Sequence, residues 1–207
     1  LITATIVTSL GIIMASAKAG LRLPHRYGRA SLSKFLRVLM DQGIMLYLVM
    51  PSIVLGTSAF ILLREHGDVF GYAFVIVIVA NSLLALPFAY RLLEVRMSSI
   101  LANHDKLAGQ LGLVGLQRLR VLTLPALKQD IGLVAGLSAA LSFGDLGVIA
   151  LFASTDFRTL PWLLYQLAGK YAGDEANALA MLLMILTVLL FLATRALVGL
   201  VIGANHA

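Results

Sequence analysis

The chain has 207 residues, 60% of them hydrophobic and only 13% charged, with a mean hydropathy of +0.95. Soluble domains are about a quarter charged, so this composition excludes an ordinary water-soluble globule and makes lipid the solvent for most of the chain. A net charge of +6 would suit nucleic acid, but the basic residues lie between apolar runs and are not interleaved with aromatics, which excludes a nucleic-acid surface.

A helix needs about 20 apolar residues to cross a hydrocarbon core about 30 Å thick. The first such run, Leu1 to Ala17, is short; it has no positive leader or cleavage site, so it is not a signal peptide, and a start without Met suggests a chain cut from something longer. The connection that follows carries Lys18, Arg22, Arg26, Arg29, Lys34 and Arg37, with Pro24 at a turn. In it Leu32, Phe35, Leu36, Leu39 and Met40 form a helical stripe opposite Ser33, Lys34, Arg37 and Asp41, which suits an interfacial helix or an extension of the next span better than a calmodulin-like target.

The second run is Gly43 to Leu63 and the third Val69 to Tyr90, with Pro51 and Pro87 as potential kinks. Asn81, near the centre of the third, suits an interhelical hydrogen bond better than a solute path. Between the third run and the fourth, Ile131 to Phe152, lies a long polar-flanked loop over about 91–130. In it Leu107, Ala108 and Leu111 form a small apolar face, Gly112 permits a sharp turn, and Leu113, Leu116, Leu119 and Val121 form a second stripe before Pro125. Two short helices outside the membrane are expected there, the first over about Asp105 to Leu111, shaped to enter a groove on a partner.

In the fourth run an ionised Asp145 would cost on the order of 2.5 to 3.5 kcal/mol in lipid. It is therefore expected to face a wet cavity with Ser142, on a solute path, or to be a helix-end residue bonded to neighbouring backbone or Arg158. Pro161, Trp162, Tyr165 and Tyr171 follow, as headgroup anchors or as a lid. The fifth run extends from Ala176 to about Leu197, where Arg195 can snorkel. All but three of the 16 Lys and Arg, namely Arg64, Arg158 and Lys170, fall in connections on one side or at Arg195. By the positive-inside rule that side is cytoplasmic, so the start faces outward and the end inward. The expected fold is an all-α polytopic bundle of five transmembrane helices in one domain, 1–207.

No cysteine is present, and His25, His66, His104 and His206 lack ligand spacing, so no metal site is expected. There is no Gly-rich phosphate loop ending in Gly-Lys-Ser/Thr and no convincing catalytic set. The chain is expected not to be an enzyme.

Lys106-Leu107-Ala108-Gly109-Gln110-Leu111-Gly112, then nine residues, then Leu122-Thr123-Leu124-Pro125, resembles the EAA loop of ABC importer permeases. Leu86-Pro87-Phe88-Ala89-Tyr90-Arg91 before it, and Ser142-Phe143-Gly144-Asp145-Leu146-Gly147 and Thr159-Leu160-Pro161 after it, are similar to flanking elements of the iron and thiamine branch. The resemblance covers about residues 50–165 and is closest to the C-terminal half of thiamine-transporting members. It implies a permease of the bacterial inner membrane that carries thiamine, with its phosphate esters as further solutes. The alternatives are an iron(III) or other small-ion permease of the same branch, or a channel-like or structural subunit without ATP coupling.

The resemblance further implies that Asp105, Lys106, Leu107, Ala108, Leu111, Gly112, Leu124 and Pro125 couple the spans to an ATPase. Lys106 stands where the family usually has Glu, so no carboxylate contact is expected there. Asp145, Ser142 and Asn81 are the candidates for the solute pathway. The implied partners are a dimer of ATP-binding subunits holding ATP and Mg, a second permease half fused N-terminally, a periplasmic solute-binding protein and the lipid bilayer. This chain itself carries no cofactor.

Overall fold

The computed structural model describes residues 1–22, 38, 41–44, 50–65, 71–113, 115–153, 158–170 and 172–204; these are helices and their connections, with no strand among them. Pro24, the stripe from Leu32 to Met40, and Tyr171 lie outside the described residues. The named helices are α1 (Ile2–Arg22), α2 (Ser52–Leu63), α3 (Ala73–Gln110), α4 (Gly115–Arg118), a π-helical turn (Leu119–Thr123), α5 (Leu124–Ala126), α6 (Lys128–Gly144), α7 (Ile149–Phe152), α8 (Leu160–Gly169) and α9 (Gly173–Ala204).

The all-helical expectation holds among the described residues, and two of the expected spans stand out as long apolar helices. Ala73–His104 and Gly173–Leu200 are long and apolar enough to cross a membrane, whereas Ile2–Lys18 and Ser52–Leu63 are shorter apolar helices. Pro51 stands at the start of α2 with φ −64° and ψ 141°. It begins a helix rather than kinking one, as its missing N–H and fixed φ favour. The expected fourth run is broken: α6 ends at Gly144, Asp145 is extended with φ −71° and ψ 126°, and α7 resumes at Ile149. The expected third run does not stop at Tyr90 but continues to Gln110. At 1.5 Å per residue, the 38 residues of α3 reach about 57 Å, nearly twice a hydrocarbon core.

Alanines on α3 explain how closely the bundle packs. Ala85 and Ala89, with Leu93, Met97 and Ile100, meet Val7 and Ala15 of α1 and Leu127, Ile131 and Val134 at and within the start of α6. A second cluster joins Ala73, Ile76 and Ala80 to Val148 and Phe152, with Phe60 of α2 edge-on to Phe152 at 6.0 Å. Helix α9 meets α6 at two glycines. A Cβ on Gly136 would lie 2.8 Å from the Phe191 carbonyl oxygen, and one on Gly132 3.0 Å from that of Arg195. Small residues four apart allow this approach of two backbones.

Candidate functional site

Helix α3 carries three polar features along its length. At its far end, Gln110 closes the helix and Gly112 takes the left-handed conformation at φ +63°. The Leu113 N–H donates to the Ala108 carbonyl at 2.9 Å, so the chain leaves the helix through a Schellman turn. It then folds back along α3. Arg118 donates from Nη2 to the Leu101 carbonyl at 3.4 Å, and Leu119 and Leu124 pack against the core cluster around Met97 and Ile100. Pro125 falls in the first turn of α5, where its missing N–H costs nothing. Across the base, Arg96 Nε donates to both Asp130 oxygens, at 3.2 and 3.1 Å, tying α3 to α6.

These contacts make a braced elbow, and they correct the expected separate helix over Asp105 to Leu111: those residues finish α3 and enter the turn. A helix that is already long propagates more easily than a new one nucleates. Within the expected apolar face, Ala108 is fully buried, whereas Leu111 at 63% and Val121 at 62% exposed present apolar side chains outward. The side chains of Asp105, Lys106, Leu107 and Leu116 lie outside the described set.

Midway along α3 lies an ion cluster that sequence reasoning missed. Lys18, 5% exposed at its side chain, reaches Asp41 Oδ1 at 2.5 Å and Glu94 Oε1 at 3.2 Å. The Tyr90 hydroxyl donates to Asp41 Oδ1 at 3.0 Å, and Arg91 lies 3.7 Å from Glu94. Burial works against the Lys18 charge, but the bonds to Asp41, Glu94 and Tyr90 together hold its pKa above the ordinary value. Burial likewise opposes the Asp41 charge, and Lys18, Tyr90 and Arg91 together keep its pKa below the usual carboxylate value. Both residues sit just outside the expected first and second spans. A signal was available in sequence, since Lys18 and Asp41 each border an apolar run, but nothing in the spacing paired them.

Toward the start of α3, the polar residues of the apolar region meet. Asn81, buried, donates from Nδ2 to the Ser142 carbonyl and hydroxyl through long bonds of 3.4 and 3.3 Å, and Ser142 donates to Thr3 at 3.2 Å. Three helices, α1, α3 and α6, are thereby linked. Asp145 accepts from the Gly147 N–H at 3.1 Å and the Val148 N–H at 3.3 Å, and is bonded by the Ser52 hydroxyl. The carboxylate therefore closes the break between α6 and α7, as the helix-end alternative expects. A Cβ on Gly147 would fall 2.0 Å from Ser52 Oγ and 3.1 Å from the Ile53 nitrogen, so a side chain there would displace the Ser52 hydroxyl and crowd α2.

A cleft of about 370 Å³ opens beside it, lined by Ser52, Asn81, Leu84, Phe88, Leu141, Gly144 and Asp145. Two of the three expected pathway residues, Asn81 and Asp145, thus share one cleft, while Ser142 is Asn81's bonding partner. Ser52 was not foreseen, because it lies more than ninety residues before Asp145 in sequence. On α8, Trp162 and Tyr165 stack at 5.6 Å, with Tyr165 exposed, an amphipathic pair of the kind found at membrane interfaces.

No protein-family model matches the chain. It is 43% identical over 157 residues to the thiamine transport system permease protein ThiP of Brucella abortus, which covers 75% of this chain and 29% of that protein. The E. coli protein of the same name is 42% identical over 155 residues, with the same shares covered. That of Haemophilus influenzae is 32% identical over 180 residues, 87% of this chain and 33% of that one. The chain spans about a third of the length of these curated relatives. A putative 2-aminoethylphosphonate transport system permease protein from Salmonella paratyphi A is 29% identical over 117 residues. The resemblance to ABC importer permeases, read from Lys106 to Pro125 and its flanks, is borne out by this similarity.

Proposed function

We propose that this chain is part of the transmembrane permease of an ATP-driven thiamine importer in a bacterial inner membrane. The observation that carries the reading is the braced elbow at the end of α3, in a chain similar over three quarters of its length to thiamine permeases. A partner ATPase dimer grips the elbow through Leu111, Val121 and the helical end from Asp105, while Gly112, Leu124 and Pro125 set its shape. Closure of that dimer moves α3 as a lever, because a stiff helix transmits a displacement that a loose loop would absorb.

At its other end α3 contributes Asn81, Leu84 and Phe88 to the cleft beside Asp145. A carboxylate and an aromatic ring in one apolar cleft suit an organic cation such as thiamine. The basic side of the bundle, including the elbow, faces the cytoplasm. A second permease half, supplied by the rest of a longer chain, completes the pathway, and a solute-binding protein delivers thiamine outside. ATP and Mg are held by the ATPase.

The test is uptake of labelled thiamine by cells lacking the full-length permease and by the same cells with it restored. Restoration should recover uptake. Unchanged thiamine entry with altered iron entry would instead favour a small-ion permease, and normal uptake with the elbow replaced by an unrelated linker would remove the coupling claim.

A further inference from the structure

The crossing of α6 and α9 leaves a second cleft that the transport reading does not use. It measures about 550 Å³ and is lined by Lys128 and Gln129 at the start of α6 and by Leu192, Arg195, Ala196 and Gly199 near the end of α9. Gly132 and Gly136 fix this geometry: they let the two backbones touch at Arg195 and Phe191, so Arg195 is held close to the start of α6. Both Lys128 and Arg195 are exposed, and neither has an ion pair among the described residues. The nearest acid on α6, Asp130, is turned to Arg96 of α3. Two cations without an ion pair among the described residues therefore line a cleft completed by Gln129, Leu192, Ala196 and Gly199.

Below the cations, Leu192, Leu189, Val188 and Ile185 form an exposed strip at helical spacing along α9, each about half exposed. A soluble anion would leave that strip unused. A lipid would place its phosphate between Lys128 and Arg195 and lay an acyl chain along the strip, satisfying charge and apolar surface together. We infer that this cleft binds the headgroup of an anionic phospholipid of the cytoplasmic leaflet, a placement that rests on the orientation given under the proposed function. Basic pockets between helices on that side are suited to such headgroups.

The measurement is native mass spectrometry of the full-length permease in detergent, with phosphatidylglycerol or phosphatidylcholine added. The unaltered protein should retain phosphatidylglycerol in preference. Lys128→Ala with Arg195→Ala should weaken that retention roughly thirtyfold, from about 1 kcal/mol per basic residue at 1.4 kcal/mol per decade. Lys128→Arg with Arg195→Lys should keep it. Equal retention of the two lipids, or undiminished phosphatidylglycerol on the double alanine variant, would overturn the inference. So would full displacement by glycerophosphate, which marks a soluble-anion site, or loss of the ATPase subunit with lipid retention unchanged, which marks a protein interface. Labelling of Ala204→Cys by a membrane-impermeant reagent reads the orientation separately: outward exposure would overturn the leaflet, and with it the transport topology, whatever the retention result.

Discussion

The elbow at Gly112 follows the end of α3, the cleft at Asp145 lies beside its first half, and the two are built by different rules. The elbow is local: a glycine with φ +63°, a bond from Leu113 back to the carbonyl of buried Ala108, and a fold-back that leaves Leu119 partly buried. The cleft is assembled from afar, with Ser52 arriving on α2, Asn81 on α3 and Asp145 at the break after α6, and Thr3 reached through Ser142. Local backbone chemistry makes a stiff handle. Distant polar contacts make a cavity whose shape depends on how the helices stand.

The ion cluster at Lys18 lies between the two regions and offers the largest perturbation. Lys18→Met should cost about 3 to 5 kcal/mol, since it strands Asp41 and Glu94 without their buried cation; chemical unfolding of the reconstituted permease measures it. The same cluster sets a pH window. Lys18, with its pKa raised in the fold, contributes fully below 10.5 and loses its contribution as pH climbs through the folded value. Asp41, with its pKa lowered, contributes above 3.8 and loses its contribution as pH falls through the folded value. Stability attributable to the pair should therefore be level between those limits and fall at both ends, and a slope near neutrality would show that the cluster does not hold the helices together.

Gly112→Val tests whether the elbow acts as a handle. A β-branched residue in the left-handed region costs roughly 1–2 kcal/mol, which the bundle should tolerate while uptake is lost. Normal uptake at normal membrane levels would mean that the turn is not the coupling element. At the cleft the Gly147 and Val148 amides donate to separate oxygens of Asp145, so Asp145→Asn keeps an acceptor for one of them and removes the charge. Stability should fall by about 1 kcal/mol for the hydrogen bond lost, and thiamine uptake should fall several-fold; unchanged uptake would leave Asp145 as a helix-end residue alone. Asn81→Leu should have the smallest effect, about 0.6 kcal/mol from its interhelical bonds, measured as a shift in the unfolding midpoint.

Much of the elbow was legible because its chemistry is short-ranged. Gly112 permits a left-handed turn and Pro125 favours a helix start through their own backbone preferences. What misled was the helix before them: polar residues past Tyr90 suggest a loop, yet α3 continues because Leu93, Met97 and Ile100 still have α1 and the start of α6 to pack against. The break at Asp145 was similarly hidden within an apolar run. Its carboxylate is satisfied by two amides immediately downstream and by Ser52 on another helix.

By itself the sequence determined that the chain is too apolar for an ordinary soluble globule, that it is helical, that one set of its connections is basic, and that Gly112 can turn it. Those follow from composition, period and single-residue backbone preferences, which act within a few residues. Only the tertiary structure decided that Lys18 meets Asp41 and Glu94, that Ser52 meets Asp145, and that Arg195 stands beside Lys128. Such pairings depend on which helix faces touch, and in this bundle that is set by the small residues Gly132, Gly136 and Gly147 together with Ala85 and Ala89, whose effect appears only once two backbones are brought together.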